Sequence, residues 1–154
     1  MTTPPCEDVI SIHPHDITWA VTTTNKMYAQ DPLNGWKRWP GSALSIGGSY
    51  WELWMIGVDK KLYQWDFDWA NQLGPNYTGG FWVQRPGVDP VEIAPYNSTR
   101  VVMLNGAGEI FAWKINSWVK VTFNGPASNV AIGVSKMYAV KKDSGQVFST
   151  TFYP

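Results

Sequence analysis

The stretch Leu53-Trp54-Met55-Ile56-Gly57-Val58-Asp59-Lys60-Lys61-Leu62-Tyr63-Gln64-Trp65 joins an apolar run, a polar turn and a second run that opens with an apolar–aromatic pair. The first run is apolar on both faces, as expected for a strand that is covered by protein on both sides. The charged residues Asp59, Lys60 and Lys61 indicate a turn between two antiparallel strands. No part of the chain shows a convincing 3.6-residue periodicity, so the sequence predicts an all-β protein.

This pattern recurs along the chain, which is the signature of a repeat architecture. A short apolar segment precedes each unit, at Val9–Ile12, Ala43–Ile46, Pro90–Ile93 and Asn129–Ile132. The stronger β runs follow at Ile17–Val21, Leu53–Val58, Val101–Leu104 and Lys136–Val140. The third strands begin with the pairs Met27-Tyr28, Leu62-Tyr63, Ile110-Phe111 and Val147-Phe148, and their aromatic residues lie 35, 48 and 37 residues apart. The long interval contains a loop-like insertion at about 68–80.

Three units continue into a tryptophan strand, at Gly35–Gly41, Phe81–Gly87 and Ser117–Val121. Four short antiparallel strands per unit are typical of a β-propeller blade. The sequence therefore predicts one domain, residues 1–154, forming a small β-propeller of about four four-stranded blades. Its repeats span approximately 8–42, 43–88, 89–127 and 128–154. A β-trefoil, with three subdomains, is the alternative fold.

The sequence of strands resembles the tectonin-type β-propeller repeat. The resemblance lies in the "Ile-Tyr/Phe-x-Trp" and "Trp-x-x-x-Pro-Gly" patterns and covers residues 8–154, with good matches at Leu44–Trp65, Trp82–Gly87 and Val91–Trp118. It implies a lectin-like protein, multivalent and defensive. The chain departs from the family because tectonin propellers commonly have six blades.

The fourth repeat ends after its third strand, so an open sheet edge is expected there. Two alternatives remain open at this point. Residues 1–8 close the ring as the missing strand, although Pro4-Pro5 suits a strand poorly. Otherwise a homodimer shares strands across a symmetric interface.

Composition excludes several function classes. The formal net charge is zero, with 12 basic and 12 acidic residues, so the clustered charge of a nucleic-acid or anionic-membrane partner is missing. We therefore expect no nucleic-acid partner and no membrane insertion. The single cysteine, Cys6, allows no intramolecular disulfide. Residues 1–8 do not resemble a signal peptide, so a cytoplasmic location is expected, with non-classical release left open.

No catalytic constellation is apparent, and we expect neither enzymatic activity, nor a metal, nor a cofactor. The segment His13-Pro14-His15-Asp16 is interpreted as a turn, because no further histidine exists to complete a metal site. Asp66 and Asp68 could share one face of a strand, but nothing else in the sequence completes a calcium cage.

Aromatic side chains remain as the candidate binding groups, since the chain contains ten tryptophans. Tryptophans that recur between units are needed for packing, whereas non-recurring aromatics are available to stack on sugar rings. The predicted ligand-binding residues are Trp39, Trp51, Glu52, Trp69, Tyr77, Arg38, Arg85 and Arg100. The sequence thus predicts a non-catalytic lectin whose partners are glycans or glycoconjugates. A protein-interaction scaffold using the same aromatic surface is the alternative.

Overall fold

The computed structural model describes residues 9–14, 18–31, 35–48, 52–67 and 80–151. These residues form fourteen β-strands. The strands are β1 (Val9–Pro14), β2 (Thr18–Thr22), β3 (Lys26–Asp31), β4 (Gly35–Gly48), β5 (Leu53–Gly57), β6 (Leu62–Phe67), β7 (Gly80–Arg85), β8 (Pro90–Asn97), β9 (Arg100–Asn105), β10 (Ile110–Lys114), β11 (Ser117–Val121), β12 (Ala127–Ile132), β13 (Lys136–Lys141) and β14 (Val147–Thr151). The described residues include no helix that could cross a membrane. The all-β prediction is confirmed.

The strands form antiparallel sheets of seven, four and three strands, ordered β1 to β7, β11 to β8 and β12 to β14. Strand β4 is long, and its two halves have different partners. Residues up to Ser42 pair with β3, and residues from Ala43 pair with β5. We therefore describe four strand groups. The first is β1–β3 with residues 35–42 of β4, the second is residues 43–48 of β4 with β5–β7, the third is β8–β11, and the fourth is β12–β14.

The turn after the second strand of each group contains a residue in the left-handed backbone conformation. A residue with positive φ closes each turn, at Asn25 (63°), Lys60 (61°), Gly108 (80°) and Gly145 (68°). Hairpin turns require this left-handed conformation, which Gly and Asn adopt readily. The predicted polar turns are thus confirmed at all four places.

A β-bulge recurs at the start of each group and defines the register of the repeat. It lies directly after Val9, Ala43, Pro90 and Ala127. Ala127 is therefore the counterpart of Pro90, and the sequence alignment that starts the fourth segment at Asn129 is wrong by two residues. The sequence alignment was misplaced because Val130-Ala131-Ile132 has the same apolar spacing as the earlier segments. The position of the bulge is instead determined by the pairing of the backbone.

Three apolar layers lie between consecutive groups. The first packs Trp19, Met27 and Trp39 of the first group against Leu53, Met55 and Trp65 of the second. The second layer joins the second and third groups through Trp54, Ile93 and Trp113 among others, and the third layer contains Val102, Ile110, Val130 and Met137. Strand β5 is buried along its whole length because its two faces contribute to different layers.

The first strands of neighbouring groups approach each other closely. A Cβ atom on Gly47 would lie 2.5 Å from the Ile93 carbonyl oxygen, so a side chain is excluded there. The turn of one group also contacts the first strand of the next group. The Ala43 amide donates to the Asn25 carbonyl at 2.9 Å, and the Ala127 amide donates to the Gly108 carbonyl at 2.9 Å. The equivalent residue of the third group is Pro90, which has no amide hydrogen to donate.

An indole joint connects the outer strand of one group to the preceding group. Trp82 Nε1 donates to the Pro40 carbonyl at 2.8 Å, and Trp118 Nε1 donates to the Pro86 carbonyl at 2.6 Å. Each acceptor is four residues after the tryptophan of its own outer strand, Trp36 or Trp82. The Trp-x-x-x-Pro pattern thus encodes a contact between groups.

We predict that Trp113→Ala lowers the free energy of unfolding by about 3–5 kcal/mol, the usual cost of truncating a buried tryptophan. Trp113 is 5% exposed and contacts Trp54 and Trp118 at centroid distances of 5.3 and 4.9 Å. Urea denaturation measures the effect. The control Phe81→Ala, at a side chain 60% exposed, should change stability by less than about 0.5 kcal/mol; equal losses in the two variants would contradict this packing role.

Candidate functional site

The residues predicted to bind a ligand fall into two sets. Trp51, Trp69 and Tyr77 lie outside the described residues. Trp39, Glu52, Arg38, Arg85 and Arg100 are described, and the following paragraphs place each of them.

Trp39 does not face solvent, which corrects its assignment as an exposed stacking ring. It is 1% exposed and lies between Trp19 and Trp65, with ring centroids 5.0 and 5.3 Å away. Its register partner across the sheet is Met27, which also faces the layer between the first and second groups. The indole N–H of Trp39 has no hydrogen-bond partner among the described residues. The side chain therefore serves packing.

Arg38 binds the backbone of its own strand group. Its guanidinium donates to the carbonyl oxygens of Met27 (3.1 Å), Gly41 (3.0 Å) and Trp39. Its Cζ atom lies 5.8 Å from the centroid of the Tyr28 ring, at cation–π distance. The donors that were expected to hold a ligand instead bind backbone carbonyl oxygens of β3 and β4.

Glu52 and Arg85 are brought together by a residue that the sequence did not single out, Gln64. Glu52 Oε1 accepts from Gln64 Nε2 at 2.6 Å and also from Trp54 Nε1, and Gln64 Oε1 accepts from Arg85 Nε at 2.9 Å. Glu52 is only 4% exposed. Burial raises the pKa of the Glu52 carboxyl, although the bonds from Trp54 and Gln64 and the charge of Arg85 oppose the shift. Glu52 is the buried end of a hydrogen-bonded chain whose other members, Gln64 and Arg85, are half-buried, so the burial of Glu52 corrects its assignment to a sugar site.

Arg100 lies in a different strand group and donates to the carbonyl of Val134 across the boundary between the third and fourth groups. The five described residues therefore do not converge on one surface. Each cation instead contacts backbone or amide oxygens that connect parts of the fold.

A separate apolar groove lies along the third strand group, and we call it the Trp118 groove. Its first part is a depression of about 310 Å³ whose lining includes Pro86, Val88, Met103, Phe111 and Trp118. The indole N–H of Trp118 is already donated to Pro86, so the ring presents apolar surface to the groove. Pockets of this size lined by aliphatic and aromatic groups are typical binding sites.

A second depression adjoins the first at Asn116, which lines both, and we include it in the Trp118 groove. The second part, of about 390 Å³, is lined by Ser98, Thr99, Trp113, Lys114, Ile115 and Asn116. Ile115 is 88% exposed and forms the tip of the hairpin between β10 and β11. Ile115 and Asn116 have φ values of 42° and 65°, the pattern of a type I′ turn.

Ile115 is an unusual choice at this position. A β-branched residue with positive φ is a conformational outlier, because its Cβ substituents crowd the backbone. Type I′ turns prefer Asn and Gly, yet this turn reads Lys114-Ile115-Asn116-Ser117. Ile115 was not predicted as a binding residue because hairpin tips are usually polar; the available signal was an isoleucine where a turn residue was expected.

Solved structures similar to this chain are β-propellers. Human WBSCR16 matches with a TM-score of 0.72 and 13% identity over 97% of this chain and 49% of the matched chain. Yeast RCC1 (Prp20), solved with Kap60 bound, matches with a TM-score of 0.70 and 13% identity over 99% of this chain and 45% of the matched chain. YCF48 bound to D1 peptide matches with a TM-score of 0.61 and 15% identity, covering 98% and 53%.

The chain therefore has a β-propeller fold and spans about half the length of the matched structures. The likeness supports the predicted propeller and does not identify the repeats as tectonin repeats. No protein-family model and no curated protein matches the sequence.

The predicted glycan partner is wrong. The similar propellers bind proteins or peptides. Yeast RCC1 binds Kap60, Prp20p from Saccharomyces cerevisiae has binding properties to Gsp1p and histones, and YCF48 binds D1 peptide. The sugar assignment rested on a family resemblance and on surplus aromatic residues. Of those aromatic residues, Trp39 is buried in the core.

We predict that Glu52→Gln becomes more stable relative to the wild type as the pH rises. With a raised pKa, the wild-type carboxyl contributes fully to stability below its ordinary pKa of 4.5, and that contribution is lost as the pH rises through the raised value. The variant cannot ionise and keeps both acceptor bonds available. Urea denaturation at about pH 4 and about pH 7.5 tests this, since the window starts near the ordinary glutamate pKa. A stability difference that is the same at both pH values would contradict it.

Proposed function

We propose that this chain is a non-catalytic protein-binding module built from four propeller blades, and that it recognises an extended apolar peptide segment in the Trp118 groove. The blades correspond to the four strand groups. Four bulges and four left-handed turns at equivalent positions support that division. The protein partners of similar propellers favour this scaffold function.

The observation that carries the proposal is the exposed, strained Ile115. A backbone held in a sparsely populated region costs about 1–3 kcal/mol and tends to occur at binding sites. An exposed aliphatic side chain gains nothing from the solvent around it. Ile115 therefore combines backbone strain with a side chain that is 88% exposed, and a partner that covers it supplies a reason for both features.

The groove has the chemistry of a peptide site. Val88 is 72% exposed and Ile115 is 88% exposed, so these side chains still have apolar area to bury. Covering each would contribute up to about 1.5–3 kcal/mol. Phe111 and Trp118, aromatic residues of the kind that anchor interfaces, line the same part of the groove as Val88. Lys114 at the rim adds a positive charge and favours a partner with an acidic residue near its apolar segment.

Selection from a displayed library of random peptides tests this function directly. The purified wild-type protein should enrich a shared motif with apolar or proline residues in an extended spacing. The enriched peptides should bind Ile115→Asn at least tenfold more weakly. The matched control is Val134→Asn, which alters another exposed valine (67% exposed) in the fourth strand group and should bind like the wild type. Failure to enrich any motif, or equal binding by all three proteins, would contradict the proposal.

We further predict that Ile115→Asn stabilises the protein by about 1 kcal/mol, because Asn adopts the left-handed conformation with little strain. Chemical denaturation of the variant and the wild type measures the change. Gain of stability together with loss of peptide binding is the expected combination. A destabilised variant would show that the isoleucine packs usefully in the free protein, contrary to the strain argument.

A further inference from the structure

The fourth strand group differs from the other three at its outer side. Strands β3, β6 and β10 each pair with an outer strand, whereas β14 pairs with β13 alone among the described residues. All five residues of β14 are exposed. A free sheet edge offers unpaired amide and carbonyl groups to another strand.

The alternation of hydrogen bonds identifies which groups are free. Gln146 turns its carbonyl toward β13, where it accepts from the Lys141 amide at 2.9 Å. Successive residues of an antiparallel strand direct their backbone groups to opposite sides. Val147, Ser149 and Thr151 therefore present their amide and carbonyl groups at the outer edge.

A cleft beside this edge corresponds to the position of a tryptophan in the other groups. Trp82 and Trp118 pack on Trp65 and Trp113 at 5.0 and 4.9 Å, and each donates to a carbonyl of the preceding group. The counterpart of Pro40 and Pro86, four residues after Trp118, is Thr122.

In the fourth group this cleft, the indole cleft, is lined by Val121, Thr122, Phe123, Met137, Ala139, Phe148, Ser149 and Thr150. Thr150 occupies the position in β14 that Trp65 occupies in β6 and Trp113 occupies in β10, three residues after the equivalent residues Val147, Leu62 and Ile110. No tryptophan among the described residues occupies the cleft.

The indole cleft is narrow in the free protein, about 30 Å³. Phe148 forms one wall, is 44% exposed and meets Phe123 edge-to-face at 5.7 Å. Exposed side chains change rotamer within nanoseconds. Rotation of Phe148 would admit an aromatic ring next to the Thr122 carbonyl.

Charge indicates what kind of strand fits. The fourth strand group contains three lysines and one aspartate: Lys136, Lys141, Lys142 and Asp143. Lys141 Nζ lies 3.6 Å from Asp143 Oδ2, so these two charges pair with each other. Lys136 is the register partner of Thr151, at one end of β14. Lys142 is exposed and lies near the other end of β14. Acidic residues on both sides of the aromatic residue would complement these lysines.

We propose that the outer edge of β14 and the indole cleft bind an extended segment of a partner protein that carries one tryptophan flanked by acidic residues. The segment adds as a fourth strand by β-augmentation. Its indole fills the cleft and donates to the Thr122 carbonyl, repeating the joint of Trp82 and Trp118. This site is separate from the Trp118 groove, so either proposal can fail without the other.

The test uses a fluorescent synthetic peptide with the sequence of residues 80–85 between acidic ends, two glutamates on each side. Fluorescence anisotropy measures its affinity for the full chain. Ser149→Pro removes one outward amide and leaves the bonds to β13 intact, because proline is tolerated on an edge strand. The matched control, Ser149→Ala, keeps that amide.

The wild type and Ser149→Ala should bind the peptide equally, and Ser149→Pro at least tenfold more weakly. The peptide with Trp82→Ala should also bind at least tenfold more weakly, and replacing its glutamates with lysines should weaken binding. Ile115→Asn should leave this affinity unchanged. Absence of binding, or equal binding by Ser149→Pro, overturns the proposal.

Two other occupants of the edge give distinct results. A dimer in light scattering that Ser149→Pro dissociates would show that a second copy covers β14. Cys6 is the single cysteine of the chain, so its reactivity with a maleimide reports on residues 1–8. A faster reaction in Ser149→Pro would show that this segment covers the edge. Either result overturns the partner-segment proposal; a monomer with unchanged Cys6 reactivity supports it.

Discussion

The first three strand groups depend on their neighbours because their second strands, β2, β5 and β9, are buried on both faces. Strand β5 is buried throughout, and its alternate residues face the first and third groups. A sheet with two apolar faces cannot fold stably alone, so consecutive groups must stack. The fourth group differs, because β13 alternates between buried and exposed residues over most of its length. In β13, buried Met137 and Ala139 alternate with exposed Lys136 and Tyr138.

Much of this fold could be predicted from the sequence, because strand, turn and strand recur with similar spacing. The placement of Trp39 could not be predicted from recurrence alone. Trp36 and Trp39 are three residues apart, so they face opposite sides of the strand, and the structure shows that Trp39 faces a buried layer. A non-recurring aromatic residue can therefore belong to the core when one layer is packed differently from the others.

The boundary between the second and third groups shows how such differences arise. Arg85, paired with Leu62, occupies the position that Trp39, paired with Met27, holds in the preceding group. Gln64 takes the place of Ala29. A bulky indole at one boundary is thus replaced by a hydrogen-bonded chain through Glu52 at the next. The sequence showed Glu52 and Arg85 as isolated charges, because the pairing that joins them through Gln64 depends on three strands.

The same packing explains how the protein maintains an unfavourable turn at Ile115. Directly beneath the turn, Trp113 and Trp118 are register partners with ring centroids 4.9 Å apart. Both rings pack against Trp54, at 5.3 and 5.8 Å. These contacts hold the ends of the hairpin, and about 1–3 kcal/mol of local strain is small beside the burial of two indoles. The layer between groups thus provides the stability that lets an apolar residue remain exposed at the tip, where a partner can reach it.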